Sequence, residues 1–323
     1  MPRRSPLGPR VDPAFLEKVL AGDFRAIARL ITAVENGDLE AISYLRELFP
    51  HSGRCLTIGV TGAPGSGKST LVDRIASYYR RRGDKVGIIA VDPTSPFSGG
   101  AILGDRIRMQ SHSLDPGTFI RSMATRGNLG GLAAATGDVV MVLDAAGFQV
   151  IVVETVGVGQ DEVEIARTAD VTLLLLVPGM GDDVQAMKAG IMEIADIFVI
   201  NKADHMGADR LETELKSLLA TVRRHDGWQP ALVRTIASEG QGTDECMAAI
   251  ERYRKFLSES EFRSERQIRI QKNRLLEVAR SMILQQLFQN QSAEARLDRL
   301  ARQIVNRETD PFSAAEELLR NQE

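Results

Sequence analysis

The sequence predicts an α/β fold in which helices cover both faces of a mostly parallel β-sheet. The first observation is a series of short apolar runs in the middle of the chain, at residues 56–60, 86–91, 119–123, 150–153, 171–177, 197–200 and 232–236. The second is that segments with apolar residues at helical spacing lie between most of these runs, among them 68–82, 129–145, 184–194 and 209–224. Buried apolar strands that alternate with helices are typical of a parallel sheet.

Helical segments flank this predicted domain on both sides. Residues 1–52 contain three stretches with helical spacing, broken at Gly22 and at Asn36-Gly37, and we expect them to form a helical cap. The α/β domain is expected to span residues 53–258, and strand signals stop after it. Residues 259–323 then form a helical arm with an apolar stripe. This stripe must be buried either on the arm's own domain or against a second subunit, and composition leaves both alternatives open.

The composition is that of an average globular protein and excludes several classes. Of 323 residues, 43% are hydrophobic and 26% are charged, which excludes wholesale disorder and fibrous structure. The 40 Lys and Arg residues are nearly balanced by 43 Asp and Glu residues, giving a net charge of -3. We therefore expect no broad surface for nucleic acid.

Cysteine usage and hydropathy indicate the compartment. The two cysteines, Cys55 and Cys246, form no CxxC pair and have no metal-ligand spacing, so neither a disulfide framework nor a Cys-rich zinc site is expected. The longest apolar stretch, 171–178, is too short to cross a bilayer, and no signal peptide is evident. These features predict a cytoplasmic protein without a membrane partner.

A phosphate-binding loop is the strongest motif. The pattern GxxxxGK[ST] is matched between a predicted strand and a predicted helix by Gly62-Ala63-Pro64-Gly65-Ser66-Gly67-Lys68-Ser69. Glycines let successive backbone N–H groups point at phosphate oxygens, and the start of the helix adds positive potential. We expect Lys68 to neutralise the β- and γ-phosphates, Ser69 to ligate Mg²⁺ and Thr70 to complete the nucleotide contacts. The alternative is a glycine-rich turn that binds nothing.

The base is predicted from Asn201-Lys202-Ala203-Asp204, which follows the apolar run 197–200. In an NKxD motif the carboxylate accepts hydrogen bonds from the guanine N1–H and 2-amine. Adenine lacks both donors and would leave the carboxylate unpaired. The next strand ends in Thr235-Ile236-Ala237-Ser238, where the Ala237 N–H, with Ser238 beside it, is expected at the guanine carbonyl. Ile236 departs from the Ser or Thr that is usual before this alanine.

The γ-phosphate is expected to be sensed by the segment Glu154-Thr155-Val156-Gly157 at the end of another strand. Glu154 would hold Mg²⁺ through water, and the Gly157 N–H would bond the γ-phosphate, so hydrolysis would release the following loop. The next residue is Val158, where Ras-like proteins have a glutamine that orients water. Intrinsic hydrolysis is therefore expected to be slow unless a partner supplies this function.

Two further aspartates are predicted near the metal. Asp92 ends the run 86–91 and would bind a Mg²⁺ water or position the attacking water; the alternative is that it caps the next turn. Asp105, in the segment 93–109, would reach the metal in a closed state, or else cap a helix. The predicted catalytic residues are Lys68, Asp92, Glu154 and Gly157, and the predicted metal ligands are Ser69, Asp92, Asp105 and Glu154.

Together these motifs resemble those of the MeaB/ArgK group of P-loop GTPases, which chaperone adenosylcobalamin-dependent mutases. The resemblance covers nearly the whole chain and is carried by residues 61–70, 91–109, 121–133, 154–160, 177–190 and 201–204. It implies a P-loop NTPase fold with a SIMIBI-like G domain that uses GTP and Mg²⁺. It also implies homodimers whose C-terminal arms pack together, which favours a dimerisation arm here.

The resemblance further implies a client. Members of the group bind methylmalonyl-CoA mutase, gate cobalamin loading from an adenosyltransferase and protect the mutase, which in turn stimulates their slow GTPase. Residues 179–188 are similar to a third switch of the group, so Gln185 and Lys188 are expected to act as relay residues. Cobalamin would be reached only through the partner, and no directly bound cobalamin is expected.

Two rival classes predict other features. A nickel-delivery GTPase of the UreG/HypB type would show Cys or His ligands between the switches, and the sequence has none there. A transport-associated ATPase or kinase would prefer adenine, which Asp204 opposes. A scaffold that binds nucleotide without hydrolysing it is a further alternative.

Overall fold

The computed structural model describes residues 11–92, 115–124, 131–155, 168–179, 195–221, 224–288 and 291–320. The first described segment forms three short helices, α1 (Pro13–Leu20), α2 (Phe24–Glu35) and α3 (Leu39–Leu48). Asp12 and Asp23 begin α1 and α2 because their side chains accept hydrogen bonds from backbone N–H groups of the first turn. The three helices predicted from the spacing of apolar residues are confirmed.

The central part of the chain alternates strands and helices as predicted. Its elements in chain order are β1 (Leu56–Gly62), α4 (Lys68–Arg81), β2 (Val86–Asp92), β3 (Thr118–Ala124), α5 (Gly131–Ala145), β4 (Val150–Thr155), β5 (Val171–Leu176), β6 (Ile197–Asn201), α6 (Ala208–Leu219) and β7 (Ala231–Thr235). The strands form one seven-stranded sheet in the order β3-β2-β4-β1-β5-β6-β7. Every pairing in this sheet is parallel. The predicted helix 184–194 lies outside the described residues.

Four helices follow the sheet: α7 (Thr243–Glu259), α8 (Phe262–Phe288), α9 (Gln291–Val305) and α10 (Pro311–Arg320). The last three lie where the sequence predicts the arm. Helix α7 is not among the predicted segments, although its buried residues Cys246, Met247, Ile250 and Tyr253 have helical spacing. It packs against α4 and β7 and so belongs to the α/β domain.

The core lies on both faces of the sheet, as expected for strands buried on both sides. On one face, α4 and α7 bury residues such as Leu71 and Ile250 against the strands. On the other, α5 packs together with the N-terminal helices, and Ile27, Leu143 and Ile151 share one apolar cluster. The N-terminal cap therefore completes the core of the α/β domain.

Helix α8 is fastened to its own domain by polar contacts. Arg266 is buried and donates to both carboxylate oxygens of Asp196, the residue just before β6. It also donates to the Tyr253 hydroxyl at 2.6 Å. Further along, Arg274 donates to Asp138 Oδ1 of α5 at 3.0 Å. Since a buried ion pair becomes costly when one partner is removed, these contacts fix the start of the arm.

The apolar stripe of the arm nevertheless stays largely exposed. Along α8, α9 and α10 large apolar side chains face solvent, with Leu275 68% and Phe312 84% exposed. The remainder of this set is Ile268, Leu276, Met282, Ile283, Leu297, Val305 and Leu319. The arm thus folds back through polar residues and leaves apolar surface uncovered. None of the helices in the described part of the chain is both long and apolar enough to cross a membrane.

Candidate functional site: a nucleotide-binding edge of the sheet

The predicted phosphate-binding loop connects the end of β1 to the start of α4. Gly62 ends the strand with φ 143°, and Gly67 begins the helix with φ 92°. A Cβ atom at Gly62 would lie 2.3 Å from the Leu175 carbonyl oxygen, and one at Gly67 would lie 2.2 Å from Asn201 Nδ2. Both positions therefore require glycine, because a side chain would meet neighbouring segments that hold the loop in place.

Lys68 folds back over this loop. Its Nζ donates to the Gly62 carbonyl oxygen at 2.8 Å and to the Ala63 carbonyl oxygen at 3.0 Å, and the side chain is buried. Pro64 and Gly65 at the tip of the loop are exposed, as is Thr70 in the first turn of α4. The ammonium group is thus held where the loop curls. Phosphate oxygens are stronger acceptors than these carbonyl oxygens.

Two predicted metal ligands meet beside the loop. The Ser69 hydroxyl, in the first turn of α4, donates to Glu154 Oε1 at 2.7 Å. Glu154 is buried and is directly paired with Val60 of β1 through the parallel register of β1 and β4. A hydroxyl and a carboxylate are oxygen ligands of the kind that Mg²⁺ prefers. This pair therefore fits a magnesium ion held next to the phosphates.

The other predicted phosphate and switch residues are placed only in part. Asp92 ends β2, and β4 lies between β2 and β1, so the Asp92 backbone lies two strands from β1 at the same edge of the sheet. Its side chain is outside the described part. The residues Asp105, Gly157, Gln185 and Lys188 also lie outside the described residues, so their predicted roles stay predictions.

Asn201 joins three segments of the predicted site. Its Nδ2 donates to the Ser66 carbonyl oxygen at 2.7 Å. Its Oδ1 accepts from Thr235 Oγ1 at 3.0 Å and from the Ala237 N–H at 3.1 Å. Because Asn201 is buried, it fixes the phosphate-binding loop, the end of β6 and the loop after β7 relative to one another. The sequence predicts this residue but not the structural part it plays.

The Ala237 N–H has an acceptor within the chain, and its predicted contact with the base stays a prediction. The sequence places it at the guanine carbonyl, and in the structure it donates to Asn201 Oδ1. Ala237 is buried, and a buried N–H takes an acceptor within its own chain. Ser238 beside it is exposed.

Asp204 presents its carboxylate at the same edge of the sheet. The turn that carries it is held by a hydrogen bond from the Ala203 N–H to the Thr235 carbonyl oxygen at 3.1 Å. Lys202 has φ 54°, a left-handed conformation that is uncommon for a residue with a side chain. The Asp204 side chain is 49% exposed, with His205 Nε2 3.8 Å from its Oδ2. It is thus available to a ligand that lies over the edge of the sheet.

The sequence gives no indication of one contact at this site. Arg74 of α4 donates from Nε to the Ala237 carbonyl oxygen at 2.9 Å and from Nη2 to the Ser238 carbonyl oxygen at 2.7 Å. No local motif marks an arginine for this role, because its partners lie far away in the sequence. Helix α4 therefore touches both the phosphate-binding loop and the loop after β7.

A cavity of about 1020 Å³ lies elsewhere, between α5, α8 and the segment before β1. Cys55, Thr57 and Asp170 line it at the amino ends of β1 and β5, at the opposite edge of the sheet from the phosphate-binding loop. Burial raises the pKa of the Cys55 thiol, which keeps it protonated. This cavity is separate from the predicted nucleotide site.

Comparison with known proteins decides the family. The family model described as "Methylmalonyl Co-A mutase-associated GTPase MeaB" matches residues 27–292. The chain belongs to this family. It is also 49% identical over 309 residues to a protein of Pyrococcus abyssi, covering 94% of this chain and 95% of that protein. The "GTPase ArgK" of Escherichia coli is 40% identical over 243 residues, covering 73% of this chain and 73% of that protein.

One solved structure has the same fold. The chain resembles the crystal structure of a protein titled "LAO/AO transport system kinase", with a TM-score of 0.69 and 28% identity over 96% of this chain and 98% of the other. Like the members of its family that are named GTPases, the chain is a GTP hydrolase with a P-loop fold. Its family is the one associated with methylmalonyl-CoA mutase.

Proposed function

We propose that this GTPase is a chaperone of an adenosylcobalamin-dependent acyl-CoA mutase, methylmalonyl-CoA mutase. GTP binding and hydrolysis would gate the loading of the mutase with its cofactor and protect the loaded enzyme. The observation that carries the proposal is the family match over residues 27–292, combined with a phosphate-binding loop whose Lys68, Ser69 and Glu154 lie together.

Each residue of the site has a separate role in binding the nucleotide. Lys68 exchanges its carbonyl partners for oxygens of the β- and γ-phosphates, which neutralises their charge. Ser69 would ligate Mg²⁺ and Glu154 would hold it through water, and the ion would supply positive charge beside the phosphates. Asp204 accepts from the N1–H and 2-amine of guanine and so selects GTP over ATP.

Coupling to the client remains a proposal that rests on predicted residues. The Gly157 N–H would sense the γ-phosphate, and Asp92 with Asp105 would complete the metal environment. Gln185 and Lys188 would transmit the nucleotide state to the mutase. A cobalamin adenosyltransferase is proposed as the donor of the cofactor, with the exchange taking place in the cytoplasm, and cobalamin itself would be held by the partner.

We also propose that the chain is a homodimer that pairs through the C-terminal arm. The exposed apolar side chains of α8, α9 and α10 support this, because large apolar side chains that stay in water along three successive helices favour burial against another surface. The polar contacts of Arg266 and Arg274 hold each arm in a fixed position from which it can meet its partner.

Steady-state GTP hydrolysis in the presence and absence of purified methylmalonyl-CoA mutase tests the proposed function. The proposal predicts slow hydrolysis by the chain alone and a clear acceleration by the mutase, with Lys68→Ala abolishing both. ATP in place of GTP is the matched control and should give no acceleration. If a mutase that binds the chain leaves GTP hydrolysis unchanged, the chaperone assignment is wrong.

A further inference from the structure

Arg74 lies further along the same helix that carries Lys68 and Ser69. Its guanidinium group bonds two successive backbone carbonyl groups, those of Ala237 and Ser238, at 2.9 Å and 2.7 Å. The planar fork of an arginine suits two neighbouring acceptors, and a charged donor gives a stronger hydrogen bond than a neutral one. One helix therefore holds the phosphate residues and the loop after β7.

Hydrogen bonds within the loop also hold it, from the Glu239 N–H to the Ile236 carbonyl oxygen at 3.0 Å and from the Gly240 N–H to the Ala237 carbonyl oxygen at 3.3 Å. It is closed on itself by the hydrogen bond from the Ile236 N–H to the Gln241 carbonyl oxygen, at 3.0 Å. Asn201 holds the Ala237 N–H from the side of β6, at 3.1 Å. Arg74 holds the carbonyl groups of Ala237 and Ser238 from the side of α4. The peptide group between Ala237 and Ser238 is thus held by the turn of the loop itself and, from outside the loop, by Asn201 and Arg74.

The direction of the Ser238 N–H follows from peptide geometry. In a planar trans peptide the C=O and the N–H point in opposite directions. The Ala237 carbonyl oxygen points at Arg74, so the N–H of the same peptide group, which belongs to Ser238, points away from Arg74. Ser238 is exposed, whereas Ala237 is buried and its N–H donates to Asn201. The Ser238 N–H is therefore the donor of this pair that faces outward.

We propose that Arg74 is a positioning residue for base recognition. By donating hydrogen bonds to the two carbonyl groups, it orients the Ser238 N–H toward the 6-keto oxygen of guanine. This inference rests on the guanine site of the proposed function and refines it. It adds the Ser238 N–H to the Ala237 N–H as a donor to the base. Arg74 itself does not touch the nucleotide.

The base is then recognised by two separable contacts. The Ser238 N–H donates a hydrogen bond to position 6 of the base. Guanine and hypoxanthine carry a keto oxygen there, whereas adenine carries an amine that cannot accept a hydrogen bond. Asp204 tests the 2-amine, which guanine has and hypoxanthine lacks. A site that is built to bond a group discriminates against ligands that lack it. Loosening Arg74 should therefore weaken GDP and IDP by the same factor, whereas loosening Asp204 should weaken GDP more than IDP.

Calorimetric titration of the full-length chain with Mg²⁺ and GDP, IDP or ADP tests this. We expect Arg74→Ala to weaken GDP and IDP by the same factor of about tenfold, the size of one lost charge-assisted hydrogen bond, with little change for ADP. Arg74→Lys, which keeps one charged donor, should recover part of the loss. Arg81→Ala is the matched control, since Arg81 is an exposed arginine of the same helix.

The outcomes are distinguishable. A parallel loss of GDP and IDP affinity with ADP unchanged supports the proposal. Unchanged GDP affinity in Arg74→Ala, or an equal loss for all three nucleotides, overturns it, since a merely structural role would not spare ADP. If Arg74→Ala fails to fold, Arg74→Lys and Arg74→Gln are compared by the same three titrations. A native chain that does not prefer GDP to ADP would instead refute the guanine site itself.

Discussion

Replacing Asn201 by alanine tests whether one buried side chain holds the nucleotide site together. Asn201→Ala removes three hydrogen bonds, to the Ser66 carbonyl oxygen and from Thr235 Oγ1 and the Ala237 N–H. At a net value of about 1 kcal/mol each, their loss lowers the free energy of unfolding by about 3 kcal/mol. The buried Ala237 N–H is also left without this acceptor, which makes about 3 kcal/mol a lower bound.

Thr235→Val is the matched partial change. It removes one of the three bonds, keeps the shape of a buried side chain and should cost about 1 kcal/mol. Both losses are measured by urea denaturation followed through the fluorescence of Trp228, the single tryptophan. Trp228 is a suitable probe because its Nε1 donates to the Asp196 carbonyl oxygen at the start of β6, so it reports on the α/β domain.

GDP binding gives an independent measure of the same change. With the phosphate-binding loop and the loop after β7 no longer joined, Asn201→Ala should also bind GDP more weakly, while Thr235→Val should bind it nearly as well as the native chain. If Asn201→Ala costs no more stability than Thr235→Val, the three bonds are not the link described here.

Three further predictions concern the loop, the arm and a thiol. Lys68→Ala should abolish tight binding of GTP in calorimetry, and unchanged affinity would remove Lys68 from the phosphate site. Leu275→Glu should convert dimers to monomers in sedimentation velocity, whereas the control Lys272→Glu, an exposed polar position of the same helix, should not; a dimer that persists in Leu275→Glu would contradict pairing through α8. Burial raises the pKa of Cys246 to about 12, so the thiol stays protonated at pH 8 and should react with Ellman's reagent only on unfolding; rapid reaction of the folded chain at this pH would contradict its burial.

Much of the fold follows from the sequence because strands buried on both faces leave an unmistakable pattern. Each of the seven predicted runs is a strand of the sheet, with ends within about one or two residues of the prediction. The order of the strands could not be predicted in this way, because it depends on long-range pairing. Helix α7 was missed although Cys246, Ile250 and Tyr253 carry its apolar face.

The site, like the fold, was predictable where a local sequence pattern exists and unpredictable where contacts join distant segments. Lys68, Ser69 and Glu154 lie at one edge of the sheet as predicted, because Lys68 and Ser69 begin the helix that follows β1, Glu154 lies at the carboxyl end of β4, and such ends meet at one edge of a parallel sheet. The hydrogen bond from the Ala237 N–H to Asn201 and the hydrogen bonds from Arg74 to the Ala237 and Ser238 carbonyl oxygens could not be predicted. Both depend on contacts between segments that are distant in sequence, and no residue type in either segment requires them.

The sequence could not predict where the apolar stripe of the arm is buried. The apolar stripe predicted for residues 259–323 is present, and the sequence leaves two ways of burying it. The structure shows that Arg266 and Arg274 anchor α8 to its own domain while Leu275 and Phe312 stay in solvent. Polar residues thus determine where the arm starts, and the apolar residues are left for another surface.

Base selection by Asp204→Asn tests the central claim most directly. In the proposed site guanine would donate two hydrogen bonds to the Asp204 carboxylate, whereas xanthine offers an acceptor at position 2, to which an amide can donate. Affinities of the native chain and of Asp204→Asn for GDP and xanthosine diphosphate are measured by calorimetry with Mg²⁺. The native chain should prefer GDP and the variant should prefer xanthosine diphosphate. If both proteins bind GDP with the same preference, Asp204 does not read the base and the guanine site is wrong.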